Sequence, residues 1–191
     1  PWLTSNPPIS YSRWIASPCS SLFIVSDSLF AEVDKRYQAL KQKARSSSTS
    51  LSILSELKSG SAWYVPGGHS TIGRLFADAC GRYAFADDKH SGSVPLAFET
   101  VFDKAGDADV WVIKYNRDRD MTYADLQADY IGYTGFKAFK ERSVYGCNTD
   151  KVPYYEETPF HPDYLLSDLI QILHPELGSL GGLRYFCKLK E

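Results

Sequence analysis

Four histidines, four cysteines and two adjacent carboxylate pairs are the residues here whose chemistry could go beyond packing, and their spacing argues against most of it. His69, His90, His161 and His174 include no H-E-x-x-H pair, and His161 and His174 each precede a proline at opposite ends of one helical stretch, so no histidine-built metal site is expected. Cys19, Cys80, Cys147 and Cys187 are widely spaced, without the C-x-x-C pairs of zinc or redox sites. Small buried thiols are expected, and the even count leaves disulfides open in an oxidising compartment. Asp87-Asp88 and Glu156-Glu157 are neighbours in sequence, and such neighbours seldom converge on one substrate; solvated loops are expected there. The chain has no G-x-G-x-x-G after a strand and no G-x-x-x-x-G-K-[ST], and Gly67-Gly68-His69-Ser70 lacks the last glycine of a nucleophile elbow. Nucleotide binding and serine hydrolysis lose support, and neither a catalytic residue nor a cofactor is expected.

Aromatic surface is what the chain offers instead. Trp63, Tyr64, Tyr115, Tyr154, Tyr155 and Phe160 fall in three loop-like stretches, 59–69, 114–121 and 148–161. Exposed apolar surface of that extent needs a reason. A large, flat, partly apolar ligand would supply one; a roof over the hydrophobic core would be the other.

The elements that must carry these loops follow from periodicity. Residues 1–12, with Pro1, Pro7 and Pro8, read as an irregular lead-in, and Pro18 as a break between an earlier segment bearing Arg13 and Trp14 and the helix that follows. Leu22, Val25, Leu29, Phe30, Val33, Tyr37 and Leu40 recur at helical spacing, which predicts an unusually long helix over 22–45, closed by a serine-rich linker at 46–50. Strands are predicted at 51–57, 83–86, 109–115, 143–147 and 183–188. Helices are predicted at 70–80, from Pro95 through Phe102, at 123–130, at 135–140 and at 162–173. This alternation implies an α/β fold with a mostly parallel sheet covered by helices on both faces, and ligands on such sheets settle at the carboxyl ends of the strands.

Composition sets the outer limits. The 191 residues are 43% apolar and 23% charged with a formal charge of −2, which fits one compact α/β unit plus an appended element. There is no excess of Lys and Arg to neutralise phosphates, so nucleic acid is not an expected partner. No apolar run approaches the roughly 20 residues that span a bilayer. The chain opens on Pro1-Trp2-Leu3 without a leader, as a segment cut from a longer gene would.

Several of these stretches resemble one family. Trp63-Tyr64-Val65-Pro66-Gly67-Gly68-His69-Ser70 followed by Asp78-Ala79-Cys80-Gly81 is similar to a W-Y-x-P-G-G-x-S loop and a D-A-G-G helix end, with Cys80 in place of a glycine. Phe98-Glu99-x-Val101 leading into Asp107-Ala108-Asp109-Val110-Trp111 resembles a helix-then-strand signature. Tyr154-Tyr155-Glu156, His161-Pro162-Asp163, Asp168-Leu169-Ile170 and His174-Pro175-Glu176-Leu177 match a terminal block in which Tyr155 stands where Trp is common. By these motifs the chain is identified as a member of the ABC-transporter periplasmic substrate-binding proteins of the helical-backbone class, in the branch associated with iron chelates and cobalamin.

That resemblance implies a Rossmann-like lobe of a class III binding protein, a three-layer α/β sandwich over 51–191, preceded over 1–50 by the lead-in and a rigid helix joining it to an N-terminal lobe of the parent chain. It implies capture of a siderophore, haem or cobalamin in the periplasm, with lipid anchoring of the precursor left open, and delivery to an ABC permease dimer. The ligand-facing set is Trp63, Tyr64, His69, Tyr115, Asn116, Tyr154, Tyr155 and Glu156, and the permease-docking residue is Glu99. A lone lobe offers half of a cleft, so weak binding or none is expected of it. An enzyme on the same fold, chelatase-like or a small-molecule transferase, is the alternative; it would need a convergent acid, base or metal set.

Overall fold

The apolar run Val110–Tyr115 is the middle strand of a five-stranded sheet, the place its burial on both faces demands. The computed structural model describes residues 20–191, with side chains from Phe30 onward. The elements run α1 (Ser20–Arg45), β1 (Ser52–Ser55), β2 (Lys58–Ser59), β3 (Ala62–Pro66), α2 (Thr71–Asp78), β4 (Arg82–Tyr83), β5 (Ser93–Leu96), α3 (Phe98–Ala105), β6 (Val110–Tyr115), α4 (Tyr123–Asp129), α5 (Lys137–Lys140), β7 (Val144–Asn148), α6 (Tyr154–Glu157), α7 (Pro162–Leu173) and β8 (Cys187–Lys188), with 3-10 turns at Ile131–Gly135 and Pro175–Leu177. The sheet order is β4-β1-β6-β7-β8, parallel throughout except for β8. The expected α/β class with a mostly parallel sheet is therefore what the chain adopts.

Register decides what each face meets. Ser55 pairs with Val112, and this face is covered by Ile72 and Phe76 of α2 and by Leu165 and Leu169 of α7. Trp111 points the other way, into Trp63, Tyr133 and Phe136, with ring centroids 5.2 to 5.7 Å away. Fully burying an aromatic side chain contributes about 2 to 3 kcal/mol. This aromatic core is the main adhesive on that side.

The long helix packs directly on α7 and α2. Arg36 Nε donates to the buried Asp163 at 2.8 Å, Tyr37 Oη donates to Asp78 at 2.8 Å, and Lys41 pairs with Asp78 at 2.5 Å, so α1 is tied to both α7 and α2. At its end Ser47 and Thr49 donate to Glu176, beside the fully buried His174, whose Nε2 lies 2.7 Å from Ala79 O. The expected break at Pro18 and the lead-in lie outside the described residues.

Four expectations differ from the structure, and the first is that residues 154–157, read as loop, form α6. Residues 62–66, read as loop, form β3 in a second sheet, ordered β2-β3-β5 and antiparallel. Pro95, expected to open a helix, sits instead on β5, where it pairs with Tyr64. An edge strand tolerates a residue with no N–H to give, and the helix starts at Phe98. The strands expected at 83–86 and 183–188 shrink to the two-residue β4 and β8.

Candidate functional site

At the carboxyl edge of the main sheet, β1 ends at Ser55 and Glu56, β6 at Lys114 and Tyr115, and β7 at Asn148. Asn148 is buried and locks the two loops that leave this edge. Its Nδ2 donates to Arg117 O at 2.8 Å and to Arg119 O at 3.2 Å, and its Oδ1 accepts from Arg117 N and Asp150 N. Asn116, beside it, is exposed and donates to Thr149 Oγ1 at 3.3 Å.

The glycines of the P-G-G turn have a steric cause. A Cβ on Gly68 would lie 2.0 Å from Ala86 O, and one on Gly67 would lie 2.3 Å from His90 O, so only glycine lets these two loops stack. Ser70 then caps α2, accepting from Gly73 N at 3.0 Å. His69, just before the cap, is exposed. In the opposing loop Asp88 accepts from the backbone N–H of His90 at 2.9 Å, which holds its carboxyl below the usual carboxylate range.

Beyond β7, α6 carries Tyr154, Tyr155 and Glu156. Arg184 grips Glu157 with two hydrogen bonds of 2.7 and 2.6 Å, and Tyr185 Oη donates to the same carboxylate at 3.1 Å, which fixes this short helix. Tyr155 is 64% exposed and packs edge-on against Tyr154 at 5.2 Å. Glu156 is exposed as well.

The expected ligand-facing set thus divides. Tyr64 (48% exposed) on β3, His69 before α2, Asn116 after β6, and Tyr155 and Glu156 on α6 have side chains open to solvent. Trp63 is a correction: it has no exposed surface, because β3 alternates and turns Trp63 inward, where Nε1 donates to Ser55 O at 3.0 Å. Tyr115 is a second correction. It is buried on the Trp111 face, its hydroxyl accepts from Met121 N at 3.0 Å, and a Cβ on Gly146 would come within 2.8 Å of its ring. Tyr154 is a third: it is buried beneath Tyr155 with Lys114 Nζ 5.5 Å above its ring centre, and burial pushes its phenol above the ordinary range. Glu99 is exposed in the first turn of α3.

Sequence reasoning missed Glu56, Lys114 and Asn148. Glu56 and Lys114 form an ion pair of 2.6 Å at the ends of adjacent strands. Cys147 is buried, and its thiol is pushed up to about 12 by burial, which leaves it a poor nucleophile. Cys80, Cys147 and Cys187 form no disulfide with one another. Among the described residues no group of three or more His, Cys, Asp or Glu is placed to hold a metal ion, and no helix is long and apolar enough to cross a membrane.

Comparison with known proteins assigns the chain to a family. Residues 26–150 match the family described as periplasmic binding protein, and the chain belongs to that family. An uncharacterized lipoprotein of Methanocaldococcus jannaschii is 35% identical over 126 residues, which is 65% of this chain and 29% of the relative. The chain spans less than a third of the length of the curated relatives it matches, 29% and 32%. Among solved structures, the periplasmic heme-binding protein RhuT of Roseiflexus sp. RS-1 superposes with a TM-score of 0.59 at 19% identity, over 80% of this chain and 56% of that one. An ABC-type Fe3+-hydroxamate transport system protein of Saccharomonospora viridis gives 0.58 at 15% identity, over 76% and 48%. Both likenesses are likenesses of fold.

Proposed function

We propose that this chain is the carboxy-terminal, ligand-binding lobe and connecting helix of an extracytoplasmic substrate-binding component of an ABC importer, and that its cargo is an iron chelate, haem or a corrinoid. What supports the reading is two exposed rings, Tyr64 on β3 of the small antiparallel sheet and Tyr155 on α6 beyond the carboxyl edge of β7, in a chain of the periplasmic binding protein family. Stacking on a large flat ligand gives such exposed rings a purpose. The N-terminal lobe of the parent closes the cleft from the other side, Glu99 docks on the permease, and the precursor is tethered by lipid, as the lipoprotein relative is by name. The enzyme alternative has less support, since the family that the chain matches is described as one of binding proteins.

Amide-resonance mapping of the 191-residue chain against haemin, ferrichrome and cyanocobalamin tests this, because chemical shifts detect even the weak binding expected of half a cleft. Shifts centred on Tyr64, His69, Asn116, Tyr155 and Glu156 with one of the three are the expected result. Shifts confined to the surface of α1 and α7 would refute the site.

A further inference from the structure

Glu56, the residue following β1, takes a left-handed backbone with φ of 67°. A residue with a Cβ adopts that conformation at an energetic cost, and functional sites are where such strain tends to be kept. Two hydrogen bonds impose it: Glu56 N donates to Val112 O at 3.0 Å, and Trp111 Nε1 donates to Glu56 O at 2.8 Å. The side chain meets the Lys114 ammonium at 2.6 Å, with 23% of the Glu56 side chain and 22% of the Lys114 side chain still exposed. Lys114 also lies over the ring of Tyr154, whose neighbour Tyr155 is the most open ring of α6. The pair, Ser55 and Tyr154 line a cavity of about 20 Å³, and the buried Ser55 Oγ has no hydrogen-bond partner. Such a volume admits one water-sized group, so a ligand rests on top of the pair and does not enter beneath it.

The geometry points to Glu56 and Lys114 as a recognition pair for a neutral group that both donates and accepts hydrogen bonds, a primary carboxamide, in preference to an anion. This rests on the chelate-binding reading above and adds a preference that the fold does not supply. An ion pair carries no net charge, yet Lys114 keeps protons and Glu56 keeps lone pairs beyond those they share. A carboxamide oxygen accepts one such proton while its N–H donates to Glu56, and the pair stays intact. A carboxylate must compete with Glu56 for Lys114 and brings two like charges together; an ammonium meets the same conflict at Lys114. In a partly desolvated site an unpaired charge is the costly outcome, which is how a binding site rejects a competitor.

The test uses two ligands with one macrocycle: dicyanocobinamide, which carries carboxamides, and dicyanocobyrinic acid, which carries carboxylates in their place. Titrated into the 191-residue chain at pH 7 and followed by amide resonances, the amide form should bind at least tenfold more tightly. Glu56→Gln should cut that ratio at least tenfold by freeing Lys114 for the carboxylate. Lys114→Gln should weaken the amide form about tenfold with no gain for the acid. Lys114→Arg should keep the preference, and thermal midpoints identify any variant that fails to fold. If the single variants unfold, Glu56→Gln/Lys114→Gln, which buries no charge, should bring the ratio to about one. A ratio unchanged in folded variants makes the pair structural only and overturns the inference. If haemin, which carries two carboxylates, binds the unaltered chain more tightly than dicyanocobinamide, the cleft stands and the carboxamide preference falls. If no chelate shifts the edge resonances, the cleft reading itself fails and takes the inference with it.

Discussion

Asp168→Asn should be among the most damaging single-atom changes in this fold. Asp168 is buried on α7, and its carboxylate accepts three backbone N–H groups of the closing segment: Arg184 N at 2.8 Å, Tyr185 N at 2.7 Å and Phe186 N at 3.2 Å. The strand that follows, β8, has only two residues on the sheet, so this side chain replaces much of the ladder that would otherwise hold the segment. An asparagine keeps one acceptor oxygen and turns its NH2 toward at least one of the donors. One or two hydrogen bonds to a charged group are lost at about 1.5 to 3 kcal/mol each, and one buried donor is left without a partner. Burial opposes this in part, since it pushes the Asp168 carboxyl up despite the three N–H groups. The net loss is therefore placed at the lower end, about 3 kcal/mol, equivalent to roughly 6 to 12 °C in thermal midpoint for a domain of this size. Urea unfolding should show a lower midpoint at unchanged slope. Hydrogen exchange at Tyr185 and Phe186 should accelerate before the rest of the sheet. A loss below about 1 kcal/mol, or full protection at those two amides, would refute the reasoning.

Further outcomes follow from other local features. Cys80, the residue after the Ala79 C-cap of α2, is left-handed with φ of 56°, so Cys80→Gly should stabilise by up to about 1 kcal/mol, read as a rise in thermal midpoint, less what its partial packing contributes. Gly68→Ala should cost more than 2 kcal/mol in urea unfolding, because its Cβ would meet backbone at 2.0 Å. Burial alone would raise the Asp109 carboxyl, but hydrogen bonds from Lys137 and Ser52 outweigh it and hold the group well below its usual range. The stabilisation it gives is complete above the unfolded carboxylate value near 3.9 and is lost as pH falls toward the folded value, so Asp109→Asn should flatten the acid limb of the stability profile. Glu99→Ala should leave the thermal midpoint nearly unchanged, since an exposed charge contributes only about 0 to 1 kcal/mol, while weakening association of the full-length protein with its reconstituted transporter.

The parts legible in sequence were those fixed by local signals. Val110–Tyr115 reads as a central strand because nothing polar interrupts it before Lys114, and α7 reads from Pro162 at its start and the His174-Pro175 stop at its end. Ser70 announces α2 through the cap it forms. Strand β3 was masked by its setting, between Gly60 and Pro66-Gly67-Gly68, although the inward Trp63 and Val65 around an outward Tyr64 were an alternation that could have revealed it. That oversight also put Trp63 on the ligand side. Tyr115 and Tyr154 misled for a related reason: an aromatic near a strand end can face the core or the cleft, and register alone decides between them. Glu56 and Lys114 could not be paired from sequence, because only the β1–β6 register brings them together.

The central claim, that Tyr64 and Tyr155 form a surface for a flat metal chelate, is tested most directly by equilibrium titration of the chain and of Tyr64→Ala/Tyr155→Ala with whichever of haemin, ferrichrome and cyanocobalamin binds. Each stacked ring contributes about 0.5 to 1.5 kcal/mol, so the double variant should bind roughly 5- to 150-fold more weakly. Tyr64 is about half exposed and Tyr155 more so, so the thermal midpoint should fall only slightly. Equal affinity in the two proteins, or no binding of any of the three to the unaltered chain, would contradict the account.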